Sequence, residues 1–291
     1  MKDFKYVEPK TIDEACSLLA KHKGKAKIIA GGTDLLVEMK EKVISPQFVV
    51  NIKGIPNIDY IRYDNSEGLK IGSVATIYAI ETSSAIKEKF GMLAEAAHKL
   101  GSVQVRNLAT IGGNLCHAAP SAETAPALIG LGATVNIRGL AGERSILLEE
   151  FFKGPGENAL QDDELLTEIQ VPNPPFRTAG VYIKHSIRKA MDLAIVGVAV
   201  VITGDPTDGI CSDVRIVLGA VAPIPMRAKE AEEKVRGKKV NDFLIEETAQ
   251  TAAKESQPIS DVRSSAEYRR EMVKVLTKRA FRRAFELSKS A

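Results

Sequence analysis

Four residues, Pro172-Asn173-Pro174-Pro175, constrain this chain more than any other stretch. Proline has no backbone N–H and a fixed φ, so such a run fits neither a helix interior nor a central strand. It marks the best boundary in the sequence and divides the chain into 1–174 and 175–291. A chain of 291 residues is long enough for two or three packed subdomains, consistent with that division.

Before the boundary, strand and helix patterns alternate. Thr11 to Lys23 has a helical apolar rhythm, with Thr11 as the expected N-cap and Glu14 three residues on. Lys27 to Ala30, Gln47 to Asn51, Gly68 to Ser73, Thr134 to Arg138 and Glu164 to Val171 read as strands. Asp34 to Lys42, Gly91 to Leu100 and Thr124 to Leu131 read as helices. After the boundary come three strand-like segments, Gly180 to Ser186, Leu193 to Thr203 and Asp213 to Val221. Helical segments follow from Arg227, from Asn241 and from Ser264 to the end, so an α+β unit is expected there.

Composition narrows the function. A net charge of +3 gives no global argument for a nucleic-acid partner. The longest apolar run, Leu193 to Ile202, is too short to span a bilayer and reads as a buried strand. Cys16, Cys116 and Cys211 are far apart and fit neither a disulfide framework nor a metal or cluster site. With no signal-peptide pattern at the N-terminus, a cytoplasmic, reducing setting is expected. His22, His98, His117 and His185 share no metal-ligand spacing, and no G-x-S-x-G nucleophile motif occurs. The last helix carries Arg269, Arg270, Lys274, Lys278, Arg279, Arg282 and Arg283 beside an apolar stripe of Met272, Leu276, Ala280 and Leu287. A solvated face is the expectation for that charge.

Two glycine pairs carry the chemistry. In Ile28-Ile29-Ala30-Gly31-Gly32-Thr33-Asp34-Leu35 a strand runs into two glycines and a helix starts at once. Glycine lets a ligand approach the backbone, and N–H groups at a helix start suit phosphate. A tight turn in which Thr33 caps the helix accounts for the same residues. The second pair lies in Thr110-Ile111-Gly112-Gly113-Asn114, followed by Ala119, Ser121 and Glu123, whose polar groups suit ribose or ribityl hydroxyls. Small residues chosen for packing are the alternative. Together the two loops could clasp a pyrophosphate from both sides. The only G-x-G-x-x-A match, Gly154 to Ala159, follows no convincing strand and is rejected as a dinucleotide fingerprint.

At these loops the sequence resembles the FAD-binding (medium) subunits of the molybdenum hydroxylases, the family of carbon monoxide dehydrogenase and xanthine dehydrogenase. The resemblance rests on AGGTDLL at Ala30–Leu36 and VRNLATIGGNLCHAAPSAETAP at Val105–Pro126. It continues through GPGENAL, ELLTEIQVP, IKHSIRKAMDLAIV at Ile183–Val196 and APIPMRAKEAE at Ala222–Glu232. It implies a vanillyl-alcohol-oxidase-type (PCMH-type) FAD-binding domain of two α+β subdomains, about 1–55 and 56–174. A C-terminal domain of a small antiparallel sheet packed with helices, 175–291, would complete the chain.

By position, the resemblance assigns Ala30, Gly31, Gly32, Thr33, Asp34 and Leu35 to the FAD pyrophosphate. Thr110, Gly113 and Asn114 would support the other side of the cofactor, with Ala119, Ser121 and Glu123 along its polar chain. Similar proteins usually have aspartate at the position of Glu123, which adds a methylene and keeps the charge. Leu100 and Leu166 match positions flanking the isoalloxazine ring, and Lys184 matches a lysine near the flavin that would stabilise its anionic reduced form. A solvated strand lysine is the alternative for Lys184. No residue of this chain is assigned a catalytic or metal-binding role.

The implied function is electron transfer. FAD would take electrons from a small partner subunit with [2Fe–2S] clusters and pass them to an acceptor such as NAD or a quinone. Substrate oxidation would occur on a large molybdenum-cofactor subunit. A self-contained flavin oxidoreductase of the same fold would instead need an acid–base group above the ring. A flavin-free nucleotide-binding module would be colourless.

Overall fold

The computed structural model describes residues 1–205 and 209–289. Three larger sheets and a two-stranded hairpin organise the described residues. The first sheet is small and parallel: Phe48–Asn51 lies between Lys5–Val7 and Ala26–Ile29. Helix Ile12–Lys21 connects the outer two strands. Its N-cap is Thr11, whose side chain accepts from the Glu14 N–H, while the Glu14 carboxylate takes the Lys10 N–H at 2.7 Å. The reciprocal bond of a capping box thus reaches one residue further back than usual.

The second sheet is antiparallel, in the order Ile61–Asp64, Gly68–Gly72, Leu165–Val171, Thr134–Gly139, Gly142–Leu147. A bulge between Leu166 and Glu168 interrupts its central pairing. The strands Ile61–Asp64 and Gly142–Leu147 extend this sheet beyond the strands expected from the sequence, and each partly buries alternate residues. Gly154-Pro155-Gly156 turns between the short strands Phe152–Gly154 and Glu157–Asn158. The rejected fingerprint is therefore a hairpin.

The third sheet runs Thr178–His185, Val196–Asp205, Ile210–Gly219 and Met226–Arg227. Both of its faces are covered, which explains unbroken Val/Ile runs instead of alternation. Val181, Val198, Val200, Ile202, Val214 and Ile216 face helices Lys229–Val235 and Ala266–Ser288, and helix Asp242–Glu255 packs against those two helices. Tyr182, Ala199, Val201 and Val217 face the opposite way, into the core around helices Gly91–His98 and Thr124–Gly130. Glycines permit this close packing: a Cβ on Gly219 would lie 2.8 Å from Pro126, and one on Gly180 would lie 3.0 Å from the Met92 sulfur. Lys184 shares the face of Tyr182 and is thereby aimed at the start of helix Thr124–Gly130.

The last helix, Ala266–Ser288, corrects two expectations; the expected continuation to the chain end falls on 290–291, outside the described residues. Arg269 is buried, donating to the Ile195 and Ala220 carbonyls and to Asp261 at 2.8–3.0 Å. The buried stripe runs through Val273, Leu276, Ala280, Phe281, Ala284 and Phe285, whereas Leu287 is exposed. No described helix is long and apolar enough to cross a membrane.

Candidate functional site

The fold brings the two glycine pairs together. A Cβ on Gly31 would lie 2.3 Å from the Leu108 carbonyl oxygen and 2.8 Å from Ala109 Cα. Glycine is therefore what lets the first loop press against the residues leading into Thr110. Gly32 has φ +72°, a left-handed conformation that favours glycine.

The first loop leaves its backbone donors open. The N–H groups of Gly31, Gly32, Thr33, Asp34 and Leu35 have no acceptor among the described residues. Leu36 is the first to reach back, to Gly32 at 3.1 Å. Thr33 is not a cap: the helix Leu35–Lys40 starts from Asp34, which has helical dihedrals and no side-chain cap bond. With only a short helix behind them, the loop N–H groups themselves, more than a macrodipole, suit an anion.

The second loop is built differently, and this corrects the picture of two backbone nests. Its N–H groups are spent on the protein: Ile111 on Ala75 O at 3.0 Å, Gly112 on Ser73 O at 2.8 Å, Asn114 on Thr110 O at 2.9 Å. Gly113 N–H goes to Thr110 Oγ1 at 3.2 Å. Gly112 serves packing, since a Cβ there would lie 2.7 Å from Ser73 O. Gly113 faces outward with only Thr110 Oγ1 near its absent Cβ. What this loop retains for a ligand is the Asn114 amide, whose Oδ1 accepts from Thr124 Oγ1 at 2.5 Å and whose Nδ2 has no described acceptor.

Lys184 and Glu123 close the site from the side. Lys184 Nζ donates to Glu123 Oε1 at 2.7 Å, Asp192 O at 2.6 Å and Lys99 O at 3.0 Å, with both side chains only 6% exposed. That burial excludes a solvated strand lysine. Its three protons are all engaged within the protein. Burial pushes the Glu123 carboxyl above its ordinary range, more than the Lys184 ammonium pulls it down, and the nearby Asp34 adds to the rise. Asp34 of the first loop is thus within electrostatic reach of Glu123.

Leu100 and Leu166 are buried in the core that supports the second loop. Ser73 couples Leu166 to that loop: its N–H takes Thr167 O at 3.0 Å and its carbonyl holds Gly112. The Ser73 hydroxyl is buried without a described partner. Leu100 sits in a turn whose three successive carbonyls are each claimed, by Lys184 at Lys99, Arg106 at Leu100 and the Met191 N–H at Gly101. Arg106 is itself buried and held by Glu81 at 2.6 Å. Ala119 and Ser121 lie half-buried between Asn114 and Glu123. His117 Nδ1 stands 3.9 Å from Glu38, linking the helices that follow the two loops. Thr124 and Arg106 escaped sequence reasoning, although both lie within the motif that carries the resemblance.

These residues fit a dinucleotide: open backbone donors for a diphosphate, an outward glycine for close approach, and the Asn114 Nδ2 donors. Residues 2–174 match the FAD binding domain in molybdopterin dehydrogenase, and residues 181–284 the CO dehydrogenase flavoprotein C-terminal domain. The chain belongs to this FAD-binding family. As such a subunit it is 34% identical over 281 residues to the glyceraldehyde dehydrogenase medium chain of Sulfolobus acidocaldarius, covering 96% of this chain and 98% of that one. It is 33% identical to the nicotinate dehydrogenase FAD-subunit of Eubacterium barkeri, covering 97% and 96%. Its structure superposes with a TM-score of 0.94, at 32% identity and 98% coverage of both chains, on carbon monoxide dehydrogenase from Hydrogenophaga pseudoflava lacking the Mo-pyranopterin moiety of its molybdenum cofactor. The α+β fold, FAD as cofactor and membership of an oxidoreductase family follow from these matches.

Proposed function

We propose that this flavoprotein subunit relays electrons between a partner that oxidises substrate and a separate acceptor. The observation that carries the reading is the row of open N–H groups from Gly31 to Leu35, set against Gly113 and Asn114. Bound FAD supplies chemistry that joins one-electron donors to one- or two-electron acceptors. Gly31 to Leu35 hold the pyrophosphate; Thr110 shapes the second loop, and Asn114 donates to the far side of the cofactor. Ala119, Ser121 and Glu123 border its polar chain, while Leu100 and Leu166 wall the ring. Residues 1–174 form the FAD-binding unit and 175–291 the unit that supplies Lys184.

Substrate oxidation belongs, in this reading, to a large molybdenum-cofactor subunit, and delivery of electrons to a small [2Fe–2S] subunit. NAD or a quinone serves as acceptor, in the cytoplasm. Two features support a relay over a self-contained oxidoreductase. Glu123 and Lys184 are committed to one another, so neither is a free acid–base group. Relatives of nearly equal identity are named for glyceraldehyde and for nicotinate, as expected when substrate choice lies in another subunit.

The test is gentle purification from the native host followed by anaerobic mixing. Co-purification of a molybdenum subunit and an iron–sulfur subunit is expected, with the flavin band bleaching when the reduced iron–sulfur subunit is added. Reoxidation by NAD or by a quinone identifies the acceptor. A lone chain that turns over a small organic substrate by itself would refute the relay.

A further inference from the structure

The second glycine loop has spent its backbone donors, so what it offers a cofactor depends on one side chain, Asn114. An asparagine amide has two orientations about its last torsion, one presenting N–H donors and the other an acceptor oxygen. A neighbour decides between them. Here that neighbour is Thr124, the first residue of helix Thr124–Gly130, which is fully buried. Its Oγ1 lies 2.5 Å from Asn114 Oδ1, and the hydroxyl has no other described acceptor.

We propose that Thr124 is a positioning residue for the cofactor: its hydroxyl holds Asn114 Oδ1 and thereby leaves both Nδ2 hydrogens for an acceptor on bound FAD. The opposite orientation would present Oδ1 to a cofactor that is itself rich in acceptor oxygens. Packing alone does not require a hydroxyl here, because valine has the same shape and carries no polar group to satisfy. The helix start therefore has two tasks in adjacent residues. Glu123 engages Lys184 across the seam, and Thr124 sets Asn114 within the loop. This inference rests on the assignment of Asn114 to the FAD site.

The experiment titrates FAD into deflavinated protein, in the full chain with any subunits that co-purify, following flavin fluorescence. Thr124→Val, which keeps the packing, is expected to weaken FAD binding about tenfold, the scale of one well-placed hydrogen bond. Thr124→Ser, which keeps the hydroxyl and loses the methyl, retains wild-type affinity. Asn114→Ala weakens binding by a similar factor, and the Thr124→Val/Asn114→Ala double variant binds no more weakly than Asn114→Ala alone. The reverse pattern, with valine tolerated and serine harmful, would overturn the proposal in favour of packing. Losses that multiply in the double variant would also overturn it. Full affinity in Asn114→Ala would remove Asn114 from the site and the proposal with it. Should Thr124→Val fold poorly, Thr124→Ala against Thr124→Ser gives the same comparison.

Discussion

Lys184 Nζ lies 2.7 Å from Glu123 Oε1, and this buried pair fastens the third sheet to the helix that borders the second glycine loop. The ammonium also takes the carbonyls of Lys99 and Asp192, so no proton of it is left unsatisfied. A buried ion pair is costly to form, and costlier to break from one side. The pair therefore acts as a register pin for the two halves of the site.

Lys184→Met should lower stability at neutral pH by about 3 kcal/mol, because Glu123 is left buried and uncompensated. In that variant the carboxyl, already raised by burial, rises further. A raised carboxyl binds its proton more tightly in the native state than in the unfolded one. Stability should then grow as pH falls through the folded-state pKa and be lost as pH rises through it. Adding Glu123→Gln should remove that dependence. Thermal unfolding across the acidic to neutral range checks the sign.

Gly31 and Gly113 should fail in different ways. Gly31→Ala places a methyl 2.3 Å from a backbone oxygen that cannot move aside, so unfolding temperature should fall. Gly113→Val meets only Thr110 Oγ1 near its Cβ and points outward, so the fold should persist while FAD content drops. Calorimetry beside cofactor extraction separates the two. Equal FAD content in Gly113→Val and wild type would take Gly113 out of the site.

The two arginines at the start of the last helix should behave oppositely. Arg269→Met strands the Ile195 and Ala220 carbonyls and should cost about 3 kcal/mol. Arg270→Met, on the exposed side, should change stability by less than about 0.5 kcal/mol. Denaturant midpoints measure both.

Thiol reactivity should report the fold. Burial pushes the Cys16 thiol up to about 11 and the Cys211 thiol up to about 12, so both are protonated at ordinary pH. The thiolate is the nucleophile. Neither residue should react with a disulfide reagent in mildly alkaline buffer until the chain is unfolded. Rapid labelling of the native protein would show that these cores open.

Acid should loosen the contact between the last two helices. Hydrogen bonds from Lys278 and Gln250 hold the half-buried Glu246 carboxyl down to about 2, with Lys274 adding to the effect. A depressed carboxyl contributes stability above its ordinary pKa and loses it as pH falls toward the folded value. Glu246→Gln should therefore flatten the stability profile below the usual carboxylate range. An unchanged slope would show that the pair is too exposed to matter.

Local chemistry in the sequence was enough to determine many of the elements and the family. Thr11, Asn241 and Ser265 cap helices because a short polar side chain can reach the first free N–H groups, whatever lies elsewhere in the chain. The glycine pairs, the proline run and the Val/Ile strands likewise express backbone and burial preferences that travel with the residues. What a glycine, a lysine or an arginine is used for depends instead on what lies across from it, and only the tertiary structure decided that. Gly112 packs while Gly113 faces out, although the two are adjacent and identical. Lys184 is buried because the third sheet is covered on both faces, and Arg269 because two carbonyls end beneath it. Thr124 has its role only because a loop ten residues earlier folds back to within 2.5 Å of its hydroxyl. Partners distant in sequence leave no periodic or compositional trace, since the forces that join them act through space and not along the chain.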